Sequence, residues 1–308
     1  THLVVNLNSK QYEAFPLEAE AYTCLLSNDK KQLYISLWGA DRLLIFDTDS
    51  KKITTKLAIG DNPNELLLTK DGKYLYVSNY SMYGTGYNKE GHDTCSPADG
   101  YDKSFVYRIN RSDYEIDSVY PVGSVPKVVK VSPDNKYILV SNWCSYTVTI
   151  ISVETQETVK TIKIGRYPRG IAITSDSKSA YVAEMGGNRI HQINLEDFSV
   201  KYIPIGSNPR AIELSPDNSK LYATLNISGK VIAWDLITNK AIKSVSTGKS
   251  ARSLAISSDG SALFVVNFRS GTVSKVRTSD MKVLQTIKVC SEPIGVTYDS
   301  STSRTWLT

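Results

Sequence analysis

Short apolar segments alternate with polar turns along the whole chain. In residues 165–205, four runs rich in Val, Ile and Tyr are separated by turns of Gly, Asp, Asn and Ser. Alternation with a period of two, together with β-branched and aromatic residues, is typical of strands and not of helices. The pattern therefore predicts an all-β protein built from groups of four short strands.

The same pattern recurs at a nearly constant interval. Copies open with a Gly, or with a Cys in the last case, at Gly60, Gly123, Gly165, Gly206, Gly248 and Cys290. After the first interval, successive copies begin 41 or 42 residues apart. A period of about 40 to 50 residues is typical of propeller blades or helical arrays, and the strand pattern favours blades. Because a blade buries both faces only between neighbours, such blades form a ring.

The two chain ends complement each other. Residues 290–308 supply the first half of a copy and residues 1–17 the second half, since His2–Asn6 aligns with Leu43–Asp47. We therefore expect one domain, a seven-bladed β-propeller of four-stranded antiparallel blades, whose ring is closed by N- and C-terminal strands sharing one blade. The expected blades span approximately residues 18–59, 60–122, 123–164, 165–205, 206–247, 248–289, and 290–308 plus 1–17.

A short motif follows the Asp turn of several copies. It reads Tyr-Val-Ser-Asn at residues 76–79, Leu-Val-Ser-Asn at 139–142 and Phe-Val-Val-Asn at 264–267. These residues resemble the repeats of the YVTN family of seven-bladed propellers, which includes surface-layer-like and YncE-like periplasmic proteins. The resemblance implies a propeller with a binding or surface role, at the cell surface or in the periplasm. The sequence departs from the motif at Glu184 and Leu225, which replace the Asn.

A cation follows the repeat proline, or its substitute, in four consecutive copies. Around the expected ring this position holds Tyr22, Asn64, Lys127, Arg169, Arg210, Arg252 and Ile294. We expect it to lie on the top face, at the mouth of the central channel. Converging cations attract an anion, and Arg can hold a carboxylate or phosphate through two hydrogen bonds. The alternative is solvated surface charge that was copied with the repeat.

Aromatic residues follow the second strand of several copies. They are Trp38, Tyr80, Trp143 and Phe268. Beside cations, exposed aromatic rings suit a ligand with apolar and anionic parts, such as a glycan, a peptide or a quinone-like molecule. The alternative is packing against the neighbouring blade.

The second blade carries an insertion at residues 80–104. Long loops on a rigid scaffold often carry function, although many are only decoration. Cys95 in this insertion and Cys144 in the matching loop of the next blade are expected to lie close together, which predicts a disulfide and an oxidising compartment. Cys24 occupies a core position and is expected to be buried, whereas Cys290 is expected to be a free thiol.

Composition excludes several classes of protein. The 36 basic residues are nearly balanced by 31 acidic ones, for a net charge of +5, and they form no extended stripe, so no nucleic acid partner is expected. No apolar run approaches the roughly 20 residues that span a membrane. The chain has no metal-binding Cys pattern, P-loop or nucleophile elbow, and no metal or cofactor is expected. It begins with Thr1 and lacks a signal-peptide pattern, so it is a mature form, a recombinant form or a piece of a larger surface protein.

Three functions remain open. The first is a non-catalytic binding or interaction propeller, extracellular, at the cell surface or periplasmic, whose top face holds an anionic small molecule, a glycan or a protein partner. Its ligand-binding residues would be Lys127, Arg169, Arg210, Arg252, Trp38, Tyr80, Trp143, Glu184 and Phe268. The second is a hydrolase resembling seven-bladed lactonases, with an Arg holding an anionic substrate and Glu184 or Glu65 as general base. The third is a structural module of a surface layer or a surface lipoprotein.

Overall fold

A computed structural model describes residues 2–6, 11–60, 63–79 and 104–308 of the protein. The described chain is almost entirely β-strand and falls into two compact units. The first unit is Ala19–Arg169, and the second unit joins Thr1–Glu18 to Gly170–Thr308.

Six sheets each contain four strands that follow one another along the chain, and we call them blades 1 to 6. Blade 1 contains β3 (Glu20–Leu26), β4 (Gln32–Trp38), β5 (Arg42–Asp47) and β6 (Lys52–Ala58). Blade 2 contains β7 (Pro63–Leu68), β8 (Tyr74–Asn79), β9 (Ser104–Asn110) and β10 (Ile116–Val122). Blade 3 contains β11 (Pro126–Val131), β12 (Tyr137–Asn142), β13 (Thr147–Ser152) and β14 (Thr158–Lys163).

The other three blades have the same construction. Blade 4 contains β15 (Pro168–Ile173), β16 (Ser179–Glu184), β17 (Ile190–Asn194) and β18 (Val200–Ile203). Blade 5 contains β19 (Pro209–Leu214), β20 (Lys220–Leu225), β21 (Lys230–Asp235) and β22 (Lys240–Ser246). Blade 6 contains β23 (Ala251–Ile256), β24 (Ala262–Asn267), a short 3-10 turn (Phe268–Ser270), β25 (Thr272–Arg277) and β26 (Lys282–Lys288).

A further sheet, which we call the terminal sheet, combines the two chain ends. It contains β1 (His2–Asn6), β2 (Gln11–Phe15), β27 (Val296–Asp299) and β28 (Arg304–Leu307), in the order β2-β1-β28-β27. Strands β1 and β28 pair antiparallel, with Leu3 opposite Leu307 and Asn6 opposite Arg304. The chain ends therefore share one sheet, as the sequence predicts. The predicted count of seven blades holds only if the terminal sheet is counted with the six blades of consecutive strands.

In each of blades 1 to 6, the turn between the first and second strands is fixed by a hydroxyl and a carboxylate. In blade 6, Ser257 Oγ donates to Asp259 at 2.6 Å, and the Asp259 carboxylate accepts the Ser261 amide at 3.0 Å. These hydrogen bonds lower the pKa of Asp259 to about 2, because they stabilise its charged form. The same hydroxyl-to-Asp bond forms at Ser27–Asp29, Thr69–Asp71, Ser132–Asp134, Thr174–Asp176 and Ser215–Asp217. The repeated Asp residues are therefore turn residues.

Apolar side chains of consecutive blades form the core within each unit. In the first unit, Tyr34 of blade 1 belongs to one buried cluster with Leu75 and Val77 of blade 2. In the second unit, Phe264 of blade 6 stacks on Tyr298 of the terminal sheet, with ring centroids 4.0 Å apart. Inner strands of consecutive sheets also lie side by side in each unit. Antiparallel four-stranded sheets that pack face to face in chain order are the blades of a β-propeller.

Candidate functional site

The four cations predicted at the position after the repeat proline lie in the first strands of blades 3 to 6. Lys127 and Arg210 are buried, with 5% and 7% exposure, and Arg169 and Arg252 are half-buried. They are therefore packed side chains, which argues against simple solvated surface charge. Lys127 and Arg169 belong to the first unit, and the other two belong to the second. Convergence of all four on one channel mouth stays a prediction.

Two of these cations lie against one aromatic ring. Lys127 Nζ is 5.5 Å and Arg169 Cζ is 5.4 Å from the centroid of Trp143, which follows β12. The Trp143 ring stacks on Tyr167, with centroids 4.7 Å apart and an interplanar angle of 28°. Tyr167 in turn meets Tyr146 edge to face at 5.6 Å. We call Lys127, Trp143, Tyr146, Tyr167 and Arg169 the cation–aromatic cluster.

Arg169 also reaches a distant part of the first unit. Its Nη2 donates a hydrogen bond to the Tyr22 hydroxyl of blade 1 at 2.8 Å. Among the described residues, no carboxylate pairs with Arg169. A half-buried guanidinium that is held by a neutral hydroxyl and a ring keeps an uncompensated positive charge. This arrangement can attract an anion.

A hydroxyl in β12 fixes the backbone at Arg169. Ser141 Oγ accepts a hydrogen bond from the Val128 amide at 3.1 Å and donates to the Arg169 carbonyl at 2.8 Å. Equivalent bonds run from Ser36 to the Asn64 carbonyl at 2.8 Å and from Thr224 to the Arg252 carbonyl at 3.4 Å. This role was not predicted from the sequence, although the Ser or Thr inside the repeated motif was the visible signal.

Tyr167 precedes the repeat proline with a φ of 59°, in the left-handed region that bulky residues avoid. The same conformation occurs at the matching positions Val125, Asn208, Ser250 and Glu292. The turn therefore belongs to the repeat and not to the cluster alone. It places the Tyr167 ring on Trp143, a contact that the sequence analysis did not predict.

The remaining predicted residues lie in separate places. Arg252 packs over the Phe268 ring at 4.4 Å from its centroid. Arg210 Nη1 lies 3.9 Å from Met185 Sδ, so a Met takes the place of the aromatic residue there. Trp38, at the end of β4, is 39% exposed. Tyr80 lies outside the described residues.

Glu184 ends β16 and is buried, with 9% exposure. Its Oε2 lies 3.0 Å from His191 Nε2 and 3.3 Å from Arg189 Nε. Glu184 was predicted from the sequence as a site residue, but neither of these partners was. Glu65, the other candidate general base, lies in β7 and donates its amide to Ser78 Oγ at 3.1 Å.

The cysteine predictions have different outcomes. Cys24 is buried, as predicted, and Cys290 is a free, partly buried thiol, also as predicted. Cys24 is a core residue, and its burial raises the pKa of its thiol. Residues 80–103 of the insertion, which include Cys95, lie outside the described residues, so the bridge from Cys95 to Cys144 stays a prediction.

Within residues 2–6, 11–60, 63–79 and 104–308, no helix has the length and hydrophobicity of a membrane-spanning segment. The same residues include no group of three or more His, Cys, Asp or Glu side chains placed to hold a metal ion.

Comparisons with known proteins agree with the fold and say less about function. No protein-family model matches the chain. Antigen Lp49 of Leptospira interrogans is 28% identical over 123 residues, which cover 40% of this chain and about a quarter of Lp49. Hydrazine synthase of Kuenenia stuttgartiensis superposes with a TM-score of 0.76 at 18% identity, over 90% of this chain and 89% of that one.

Together with the strand topology, this similarity shows that the chain is an all-β β-propeller with four-stranded antiparallel blades. The match to Lp49 adds a weak similarity to an antigen. Neither finding shows membership of the YVTN family, and a shared propeller fold does not define a shared chemistry.

Proposed function

We propose that the protein is a non-catalytic binding module, located at the cell surface or in the periplasm, that holds an anionic ligand at the cation–aromatic cluster. The observation that carries this proposal is the environment of Arg169. Its guanidinium is half-buried between the Tyr22 hydroxyl and the Trp143 ring, and no carboxylate among the described residues pairs with it. An anion would supply the missing counter-charge, and a charge-assisted hydrogen bond would form.

The rest of the cluster limits the ligand. The stacked rings of Trp143 and Tyr167 are held by each other and by the turn before β15, so little side-chain entropy is lost on binding. Desolvation, and to a smaller extent the neighbouring Tyr167, raises the pKa of Tyr146. Its hydroxyl therefore stays protonated at neutral pH. These side chains match a ligand that carries a carboxylate or phosphate beside an apolar or planar part. Such a ligand is a small molecule, a glycan or a protein partner.

We also propose that the terminal sheet is the seventh blade of one closed propeller, and that the protein is a member of the YVTN family. The 42-residue repeat, the pairing of β1 with β28 and the repeated hydroxyl bridges support this proposal. The partial similarity to antigen Lp49 supports a location outside the cytoplasm. It says nothing about which ligand is bound.

A disulfide from Cys95 to Cys144 would support that location. Cys144 lies in the loop after β12, beside Trp143 of the cation–aromatic cluster. We expect mass spectrometry of a non-reduced digest, made from protein isolated in its native compartment, to find the two peptides joined. Alkylatable thiols at both positions would contradict the bridge and the oxidising compartment.

One observation favours the hydrolase as a second candidate function. Glu184 and His191 form a buried pair beside Arg189, and such pairs occur in acid–base catalysis. If this candidate is right, the protein should hydrolyse lactones faster than buffer does, and Glu184→Gln should remove that activity. Hydrolysis at the buffer rate would exclude it.

Binding of small anions tests the main proposal. Benzoate, glucuronate and inorganic phosphate should be titrated into the protein by calorimetry at low and high salt. Arg169→Ala should weaken binding of the best probe by about 10- to 100-fold, since one charge-assisted hydrogen bond is worth about 1.5–3 kcal/mol. Added salt should weaken it further.

Arg269→Ala is the matched control, because it removes the same charge from an exposed position in blade 6. Its affinity should stay within about twofold of the parent protein. Failure of all three probes to bind, or equal losses in both variants, would overturn the proposal.

A further inference from the structure

Blade 4 differs from blades 1, 3, 5 and 6 at one pair of neighbouring positions. The pair consists of the residue that aligns with Asn142, at the end of the second strand, and the residue seven positions later. It is Asn142–Thr149 in blade 3 and Asn267–Ser274 in blade 6, joined by hydrogen bonds of 2.9 and 3.0 Å. It is apolar in blades 1 and 5, as Leu37–Leu44 and Leu225–Ile232. Blade 4 instead holds Glu184–His191, at 3.0 Å.

The Glu184–His191 pair continues outward along one face of blade 4. His191 is opposite Val182 on one side and Tyr202 on the other. Because side chains alternate along a strand, Glu184 and Arg189, each two residues away from this row, share its face. Arg189 Cζ lies 5.0 Å from the centroid of the Tyr202 ring.

Several polar atoms of this group have no partner within the described residues. Glu184 uses Oε2 for both of its contacts, and its Oε1 accepts no hydrogen bond there. A Cβ atom at position 187 would lie 2.6 Å from Oε1, so Gly187 leaves room for it. Arg189 is bound only through Nε, which leaves its two outer nitrogens as donors.

Tyr202 supplies the apolar part of the group. It is 64% exposed on β18, whereas a large aromatic ring is normally more buried. Its neighbours Arg189 and His191 hold the ring from the side of the sheet, with the His191 centroid 6.4 Å away. The ring therefore forms a supported, exposed platform.

We propose that Glu184, Arg189, His191 and Tyr202 form a second binding site, which takes a neutral saccharide. The Arg189 guanidinium balances the Glu184 carboxylate, so this site, unlike Arg169, calls for no counter-ion. A carboxylate oxygen and two guanidinium nitrogens match the paired hydroxyl groups of a sugar. The exposed ring packs on the C–H face of the sugar and shields it from water. The site lies wholly in the second unit, whereas the proposed anion site lies in the first.

Titration with neutral sugars tests this site. Glucose, galactose, mannose, maltose and lactose should be titrated while saturation transfer to the sugar protons is followed by NMR. At least one sugar should bind with a Kd on the order of millimolar, typical of a few hydrogen bonds and one ring. Tyr202→Ala should weaken that binding by about tenfold or more, and Tyr202→Phe should stay within about twofold.

Two control variants make the test specific. Lys201→Ala changes an exposed residue on the opposite face of the same strand and should leave sugar binding unchanged. Arg169→Ala should weaken the anion response and leave the sugar response unchanged, which separates the two sites. Absence of binding by all five sugars at about 100 mM, or binding that survives Tyr202→Ala, would overturn the proposal.

Discussion

Deletion of residues 1–16 should abolish the cooperative unfolding of the protein or strongly lower its melting temperature. Strand β1 pairs with β28 through four consecutive positions, from Leu3–Leu307 to Asn6–Arg304. Without β1 and β2, the terminal sheet keeps only two strands, and an isolated pair of strands is marginally stable in water. Trp306 and Leu307, which are buried in the intact protein, would lie beside an unpaired edge. Circular dichroism melts and size-exclusion chromatography measure the loss.

A peptide added in trans provides the control for this truncation. A synthetic peptide of residues 1–16 should restore much of the melting temperature, because it can pair with β28 again. A peptide of the same composition in scrambled order should not. A truncated protein that stays monomeric and melts as the full chain does would contradict the structural role of β1.

The local architecture was predictable because each copy contains its own turn-forming residues. The Ser or Thr two residues before each repeated Asp makes the same turn in all six blades, so the strand boundaries follow from the turn. The pairing of the chain ends was also predictable, since residues 1–17 complete the half copy at residues 290–308.

The environment of the candidate site was not predictable to the same degree. Spacing located Lys127 and Arg169, but a Lys is ordinarily expected to be exposed, whereas Lys127 is buried beside Trp143. The bond between Tyr22 and Arg169 joins residues that are 147 positions apart, and no local pattern reports such a contact. Packing between distant strands decides both features.

The Glu184–His191 pair could have been predicted by comparing the aligned copies within the sequence. Alignment of the copies places Thr149 and Ser274 at the position of His191, and each of them contacts the Asn that Glu184 replaces. When one residue of this pair departs from the repeat in a given copy, its partner is therefore expected to depart as well. In a repeat protein the copies supply this comparison within one chain.

Phe264→Ala should lower the free energy of unfolding by about 3–5 kcal/mol, the usual cost of removing a buried Phe side chain. The ring is fully buried in blade 6 and stacks on Tyr298 of the terminal sheet at 4.0 Å, with an interplanar angle of 22°. Its removal leaves a cavity where the two sheets meet, and it also loses the ring contact, worth about 0.5–1.5 kcal/mol. Ile237→Ala is the control, because that side chain is 81% exposed and its loss should change stability by no more than about 0.5 kcal/mol. Urea denaturation measures both, and a loss below about 1 kcal/mol for Phe264→Ala would mean that the terminal sheet does not depend on blade 6.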